Sequence, residues 1–216
     1  LFIYNNDLIL SFHNNEIGLI TVGGFYKTIK NFSYSTQYTL HPTAPPGIKT
    51  IDDFEILGAF PKDGATVYTF LNSPYEATIK GIELDFQTRL WYLPFPLDGI
   101  VLGVNYTHIS SEAEYPFRND RSRPNPNPPP RNLVEVFDST RTGRLIYQPD
   151  DIFNGFLGYD YKGFSGRVSF YYQGNSVSYI GAFPEQDGFT RDYFRIDAAA
   201  RQILPWYGIE LYLDLF

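Results

Sequence analysis

The sequence predicts an all-β protein, an antiparallel transmembrane β-barrel of which this chain supplies about eight strands. Three observations predict this fold. Apolar and polar residues alternate along most of the chain, aromatic residues gather beside short turns, and short turns alternate with long polar connections. Aromatic residues make up 18% of the 216 residues, yet the mean hydropathy is only −0.25. Strands that show one face to lipid and the other to water have this combination.

Eight segments have the length and composition of strands. In chain order they are 3–12, 18–32, 78–91, 100–112, 151–161, 164–178, 192–204 and 209–216. The connections between them are short, long, short, long, short, medium and short. Because a complete barrel of this type normally has both termini on the short-turn side, we expect at least one further strand beyond each end. The eight strands are therefore predicted to be an arc of a larger barrel.

The third segment shows the alternation most clearly. Its apolar positions are Ile82, Leu84, Phe86 and Leu90, and its polar positions are Glu83, Asp85, Gln87 and Arg89. The last segment repeats the pattern, with Ile209, Leu211, Leu213 and Leu215 set against Glu210 and Asp214. Successive side chains of a strand point to opposite faces, so each strand has an apolar face and a charged face. On this pattern Leu211 is expected to lie near the middle of a bilayer.

Turn residues support the hairpins. Lys162-Gly163 suits a two-residue turn in which Gly adopts a positive φ, which pairs Tyr161 with Phe164. The next short connection, 205–208, reads as a four-residue loop. The connection 33–77 contains a possible extra strand at about 66–71, and the connection 113–150 contains the run PNPNPPP, which predicts extended polyproline-like backbone. Loops of this length usually have a function.

The placement of aromatic residues separates a membrane barrel from a soluble β-sandwich, which alternates in the same way. Both tryptophans, Trp91 and Trp206, adjoin short turns, and Tyr159 and Tyr161 flank another. Amphipathic rings collect at the lipid headgroup level, whereas a sandwich has no reason to concentrate them at one end of its strands. The pattern favours a membrane girdle.

Composition excludes several classes of protein. No apolar run approaches the roughly 18 residues of a spanning helix. The chain has no Cys, which removes disulfides and thiolate metal sites, and its net charge of −7 argues against nucleic acid as a partner. It also lacks Met and a signal peptide, which fits a chain whose beginning lies elsewhere.

Four stretches carry a more specific pattern. They are ATIKGIELDFQTRLWYLPFPLDGIVLGVNYTHISSEAEYP (77–116), GGFYKTIKNF (23–32), YDYKGFSGRVSFYYQ (159–173) and DYFRIDAAARQILPWYGIELYLDL (192–215). Together they resemble the late barrel strands of TonB-dependent receptors, especially those of Bacteroidetes-type bacteria. The resemblance covers most of the strands and not the long loops.

This resemblance implies a 22-stranded transporter of the bacterial outer membrane, closed by an amino-terminal plug and powered through the TonB complex. Residues 1–216 would form a carboxy-terminal part of the single barrel domain, with extracellular loops at about 33–77 and 113–150 and without the plug. The implied function is active uptake of a nutrient. The implied partners are membrane lipid, the remaining barrel and plug, the TonB complex and, as a further candidate, a surface lipoprotein.

No residue pattern indicates an enzyme, a metal site or a cofactor. The histidines His13, His41 and His108 have no second ligand at metal-binding spacing, and no nucleophile has a base and an orienting group in the sequence. Candidate substrate contacts are the aromatic and guanidinium groups of the proline-rich connection: Tyr115, Phe117, Arg118 and Phe137. The predicted lumen-facing residues are Glu83, Asp85, Arg89, Arg167, Arg195, Asp197, Arg201, Glu210 and Asp214. They could line a solute path, contact the plug or simply form a solvated wall with cross-strand ion pairs.

Two other functions remain open at this level. A passive porin or an adhesin-type outer-membrane barrel would have similar strands but no plug. A soluble all-β binding module would pack its apolar faces on each other and need no detergent.

Overall fold

The computed structural model describes residues 1–40, 65–123, 133–181 and 183–216, with backbone only for 37–39, 117–123 and 133–138. Thirteen strands are found in this part of the chain. They are β1 (Phe2–Asn14), β2 (Gly18–Lys30), β3 (Ser33–Thr39), β4 (Thr66–Asn72), β5 (Glu76–Arg89), β6 (Ile100–Arg123), β7 (Leu133–Gly143), β8 (Asp151–Tyr161), β9 (Phe164–Gln173), β10 (Ser176–Tyr179), β11 (Gly188–Thr190), β12 (Tyr193–Ile203) and β13 (Glu210–Leu215).

Eight of these strands form one antiparallel wall. Its order is β1-β2-β5-β6-β8-β9-β12-β13, so every strand pairs with the wall strand before it in the chain. These are the eight predicted segments, and the all-β antiparallel prediction is confirmed. Short turns join the strands at one end of the wall, here called the turn end, and the long connections leave from the other, the loop end.

Local turn chemistry fixes the register. Tyr161 pairs with Phe164, and both Lys162 and Gly163 have positive φ, as a tight two-residue hairpin of this hand requires. At the last turn, the Leu204 N–H donates to the Ile209 carbonyl at 2.9 Å, which confirms the four-residue loop.

The long connections contain more strand than expected. β6 does not end near Glu112 but continues to Arg123, where it pairs with β7 in a hairpin that rises from the loop end. The predicted sixth segment divides, because β9 ends at Gln173 and β10 leaves the wall to pair with β11. The expected extra strand is β4, and it pairs with β3. The proline run 124–130 lies outside the described residues.

The buried core lies at the loop end, against the charged face of the wall, where Ile29, Ile79 and Ile109 are buried. Here the β3–β4 and β10–β11 hairpins, called the hairpin layer below, pack against β6. The rings of Phe32 and Tyr34 contact Tyr115 with centroids 5.7 and 5.0 Å apart. A single parallel bridge, Thr36 to Ile180, ties the two hairpins together. The alternation of apolar and polar residues in the sequence is the same for a strand of the wall and for a strand of the hairpin layer, so it does not predict which of the two a strand joins.

The two faces of the wall differ as predicted. On the apolar face Leu84, Leu211 and Leu213 are 41, 56 and 58% exposed, and Phe86 is half-buried. Among the described residues no second sheet layer lies against this face. A sheet that leaves such a face uncovered needs a different apolar neighbour, which a bilayer provides. None of the described helices is long and apolar enough to cross a bilayer.

Candidate functional site: the charged face of the wall

A continuous row of polar side chains crosses the charged face. Seven neighbouring strands each contribute one residue, and each of these residues is the cross-strand partner of the one on the next strand. We call them the polar row: Ser11, Thr21, Asp85, Asn105, Asn154, Tyr171 and Arg195. All nine predicted lumen-facing residues share this face. On β5, β9 and β12 each of them lies an even number of residues from the polar-row residue of the same strand. On β13, Glu210 and Asp214 pair with β12 residues that also lie an even number of residues from Arg195. The period-two pattern therefore grouped these residues on one face, and that this face lines a lumen stays a prediction.

Ion pairs satisfy many of the charges. Arg167 donates two hydrogen bonds of 2.9 Å to the carboxylate of Asp160. The Arg167 side chain passes over Gly158, where a Cβ would lie 2.5 Å from it. Arg195 Nε lies 2.8 Å from Asp197 Oδ2. Half-exposed pairs of this kind contribute little to stability individually. Their effect is to hold long side chains against the wall and leave room in front of it.

A recess of about 330 Å³ opens in the middle of this face. The ring of Phe156 lies over Gly103, where a Cβ would come within 2.2 Å of it. Around this ring the recess is lined by Asp85, Asn105, Asn154 and other polar-row side chains. An aromatic surface bordered by amides and carboxylates can stack on a ligand or a protein segment and hydrogen-bond its edges.

The sequence of the wall matches a known protein family. Residues 5–213 match the family model described as TonB dependent receptor-like, beta-barrel. The chain belongs to this family. Members of the TonB-dependent receptor family are outer-membrane transport receptors rather than enzymes, with a plug and a TonB partner as general features. Searches of curated proteins and of solved structures find no match.

The substrate-contact candidates of this receptor barrel lie on the β6–β7 hairpin rather than in an irregular loop. Phe117 pairs with Ser139, Arg118 with Asp138, and Phe137 with Asn119. The side chains of these three candidates are outside the described part. Tyr115 is different, because it is fully buried. Its ring belongs to the core beneath the hairpin layer, and a ligand could reach it only if that core opened.

Tyr115 connects three parts of the receptor. Its ring packs on Phe32 and Tyr34, and its hydroxyl donates to the Arg144 carbonyl at 2.8 Å. Burial raises the pKa of the Tyr115 phenol well above its usual range, so the hydroxyl remains protonated and acts as a donor at any physiological pH. The residue therefore anchors the connection between β7 and β8 to the strand that rises from the wall.

Tyr115→Phe is expected to destabilise the hairpin layer by about 1–2 kcal/mol, because it leaves the Arg144 carbonyl without its donor while the ring packing is retained. Hydrogen exchange of the residue 144–148 amides in the full-length receptor measures this. Tyr147→Phe is the matched control, since Tyr147 is exposed and its hydroxyl loss should have no effect. Equal exchange in wild type and Tyr115→Phe would show that the hydroxyl bond is dispensable.

The fold gives one of the histidines a neighbour that spacing along the chain does not reveal. His108 does have a carboxylate neighbour, because the cross-strand partner Asp151 accepts from its Nδ1 at 2.8 Å and from the Tyr106 hydroxyl at 2.7 Å. The two residues are 43 positions apart, so spacing along the chain did not reveal the pair. No group of three or more potential metal ligands occurs within the described ranges.

Other site residues were missed for similar reasons. Asn154 shares its face of β8 with the apolar residues Ile152 and Phe156, so the alternation is weak there, and Tyr171 is an aromatic residue on the otherwise polar face of β9. The pairing of Arg141 with Asp187 joins the β7 strand to the segment before β11, and its partners are 46 residues apart. Strand register brings the polar row together, whereas Asp187 reaches Arg141 because β10 and β11 leave the wall and pair with each other.

Proposed function

We propose that this chain is a carboxy-terminal part of the barrel of a TonB-dependent outer-membrane receptor of the Bacteroidetes type, and that the receptor takes up a nutrient too large for porins. The chain itself would supply wall and extracellular surface, without any chemical step. The TonB complex would drive release of the ligand from the periplasmic side by acting on the plug.

One observation carries the proposal. In the part of the chain that the structure describes, the wall is an antiparallel layer with no sheet over its apolar face and a polar row on the opposite face, and residues 5–213 match the receptor barrel family. An apolar exterior and a polar interior are what a barrel in a membrane requires. The Bacteroidetes assignment and the carboxy-terminal placement are supported by the four sequence stretches that resemble late strands of such receptors.

The two ends of the wall would have different tasks. The loop end carries the hairpin layer and the β6–β7 hairpin, which are in position to capture a ligand from outside. The charged face, with its recess beside Phe156, would face the lumen and contact the plug or the passing ligand. Tryptophans at the turn end, one of which donates from Trp91 Nε1 to the Asn15 carbonyl, would lie at the periplasmic interface.

Ion conductance tests this function without knowledge of the nutrient. The full-length receptor, inserted in a planar bilayer in potassium chloride, is expected to show no steady conductance, because the plug fills the lumen. Deletion of the plug should open a stable channel in the same bilayer. The plug deletion also serves as the insertion control, since its current shows that the barrel spans the membrane.

Two outcomes would contradict the proposal. A steady conductance of the intact receptor, unchanged by plug deletion, would indicate a passive porin. Full solubility without detergent, together with failure of both forms to insert, would indicate a soluble β module.

A further inference from the structure

A trough of about 710 Å³ lies on the apolar face, across β1, β2, β5 and β6. Two rows of side chains form it. The row nearer the loop end is polar, with Asn6, Tyr26, Lys80 and Ser110, and the row below it contains Leu8, Gly24, Ile82 and His108. A ligand in the trough would thus meet hydrogen-bond donors at one end and, on β1, β2 and β5, an apolar surface at the other.

The depth of the trough follows from strand geometry. Lys80 is nine residues from Arg89, the last residue of β5 at the turn end. Nine residues rise about 30 Å along a strand, or about 23 Å along the barrel axis at a tilt near 40°. The apolar band of a transmembrane barrel is about 25 Å tall. Lys80 therefore lies at the interface opposite the tryptophans, which is the level of the outer lipid headgroups.

Gly24 creates the apolar part of the trough. It occupies a position on the apolar face where its cross-strand neighbours Leu8 and Ile82 have large side chains. A Cβ at this position would have no atom closer than the Gly81 carbonyl oxygen at 3.9 Å. The space over Gly24 is open to the bilayer and is bordered by two exposed aliphatic side chains. A single acyl chain fits such a groove.

The polar end of the trough favours an anion. Lys80 is exposed and has no ion-pair partner among the described side chains, in a chain whose net charge is −7. His108 Nδ1 is bonded to Asp151, so Nε2 of the neutral ring is an acceptor, and the groups that can donate to an anion here are Lys80, Tyr26 and Ser110. The nearby carboxylate of Asp151 is already engaged by His108 and Tyr106, and Glu112 lies one row further toward the loop end.

We propose that this trough binds a phosphate-bearing lipid of the outer leaflet, with the phosphate at Lys80, Tyr26 and Ser110 and one acyl chain over Gly24. The proposal rests on the proposed function, because it requires the apolar face to lie in a membrane. It adds a lipid site on the outside of the wall, separate from the charged face. The bound lipid would link four neighbouring strands at the outer interface.

Native mass spectrometry of the detergent-solubilised full-length receptor tests this site, with phosphatidylglycerol as probe and phosphatidylcholine as the zwitterionic comparison. Wild type is expected to retain phosphatidylglycerol preferentially, and excess inorganic phosphate should not displace it, because the acyl chain contributes to binding. Lys80→Gln should reduce retention about fivefold, as expected for one cation at an anionic headgroup. Gly24→Leu, whose Cβ would meet no atom closer than 3.9 Å and whose side chain would occupy the trough, should reduce retention of both lipids.

The matched control is Lys27→Gln. Lys27 lies on the neighbouring position of β2, so its side chain is on the charged face, with Nζ 4.9 Å from the Phe25 ring centroid. This variant removes the same charge and should retain phosphatidylglycerol as wild type does. Equal retention in Lys80→Gln, Gly24→Leu and wild type would overturn the lipid site. If the plug-deleted barrel still conducts in that case, the receptor function stands and only the lipid site fails.

Discussion

Asp187→Ala is expected to open the hairpin layer locally, at a cost of about 3 kcal/mol. The Asp187 carboxylate accepts from Arg141 Nη1 at 2.8 Å and from the Gly181 N–H at 2.8 Å, and both charged side chains are only 13% exposed. Removal of one partner leaves a nearly buried guanidinium without its counterion, and such losses typically cost about 3–5 kcal/mol. The lower value applies because some solvent reaches the pair.

Hydrogen exchange measures this opening. Amides of β10 and β11 should exchange faster by a factor on the order of a hundred in Asp187→Ala, whereas amides of β9 and β12 in the wall should not change. Glu185→Ala is the control, because Glu185 is an exposed acid in the same segment and its loss should have little effect. If both variants exchange alike, the ion pair does not hold the layer in place.

Leu84→Arg is expected to destabilise the receptor in lipid by about 2–4 kcal/mol. Leu84 lies on the apolar face, five residues from the turn end of β5, which places it about 13 Å into a band about 25 Å tall. An arginine there must either enter hydrocarbon or distort the bilayer around it. Denaturant titration of the full-length receptor in phospholipid vesicles measures the difference.

Two further variants test whether the cost of an arginine depends on the face of the strand and on the depth in the bilayer. Glu83→Arg places the same side chain on the adjacent position of β5 but on the charged face, and it should change stability by less than about 0.5 kcal/mol. Leu211→Arg should cost less than Leu84→Arg, because Leu211 is one residue from the turn end of β13 and not near mid-bilayer as the sequence suggested. If Leu84→Arg and Glu83→Arg were equally tolerated, the apolar face would not contact lipid.

The wall could be predicted from sequence because its determinants are local. Alternation in 82–90 assigns faces, and a Lys-Gly turn fixes the register of two strands. The face assignment of residues such as Arg167 and Asp214 follows from counting residues along a strand. Each of these inferences needs only a few neighbouring residues and the period of a strand.

The hairpin layer could not be predicted in the same way. Tyr115 was expected in an exposed loop and is instead buried against Phe32 and Tyr34, which are more than 80 positions away in the chain. Arg141 and Asp187 meet only because β10 leaves the wall. Contacts between connections depend on how loops fold over the wall, and a single sequence contains no periodic signal for that.

The continuity of β6 has a mechanical consequence. This strand runs without interruption from Ile100 at the turn end to Arg123 beyond the loop end, paired first with β5 and β8 and then with β7. It has no bulge or break at Ala113, where the pairing changes from β5 to β7. Within the described range, a load applied to β6 near Arg123 is therefore transmitted along one continuous strand to the wall.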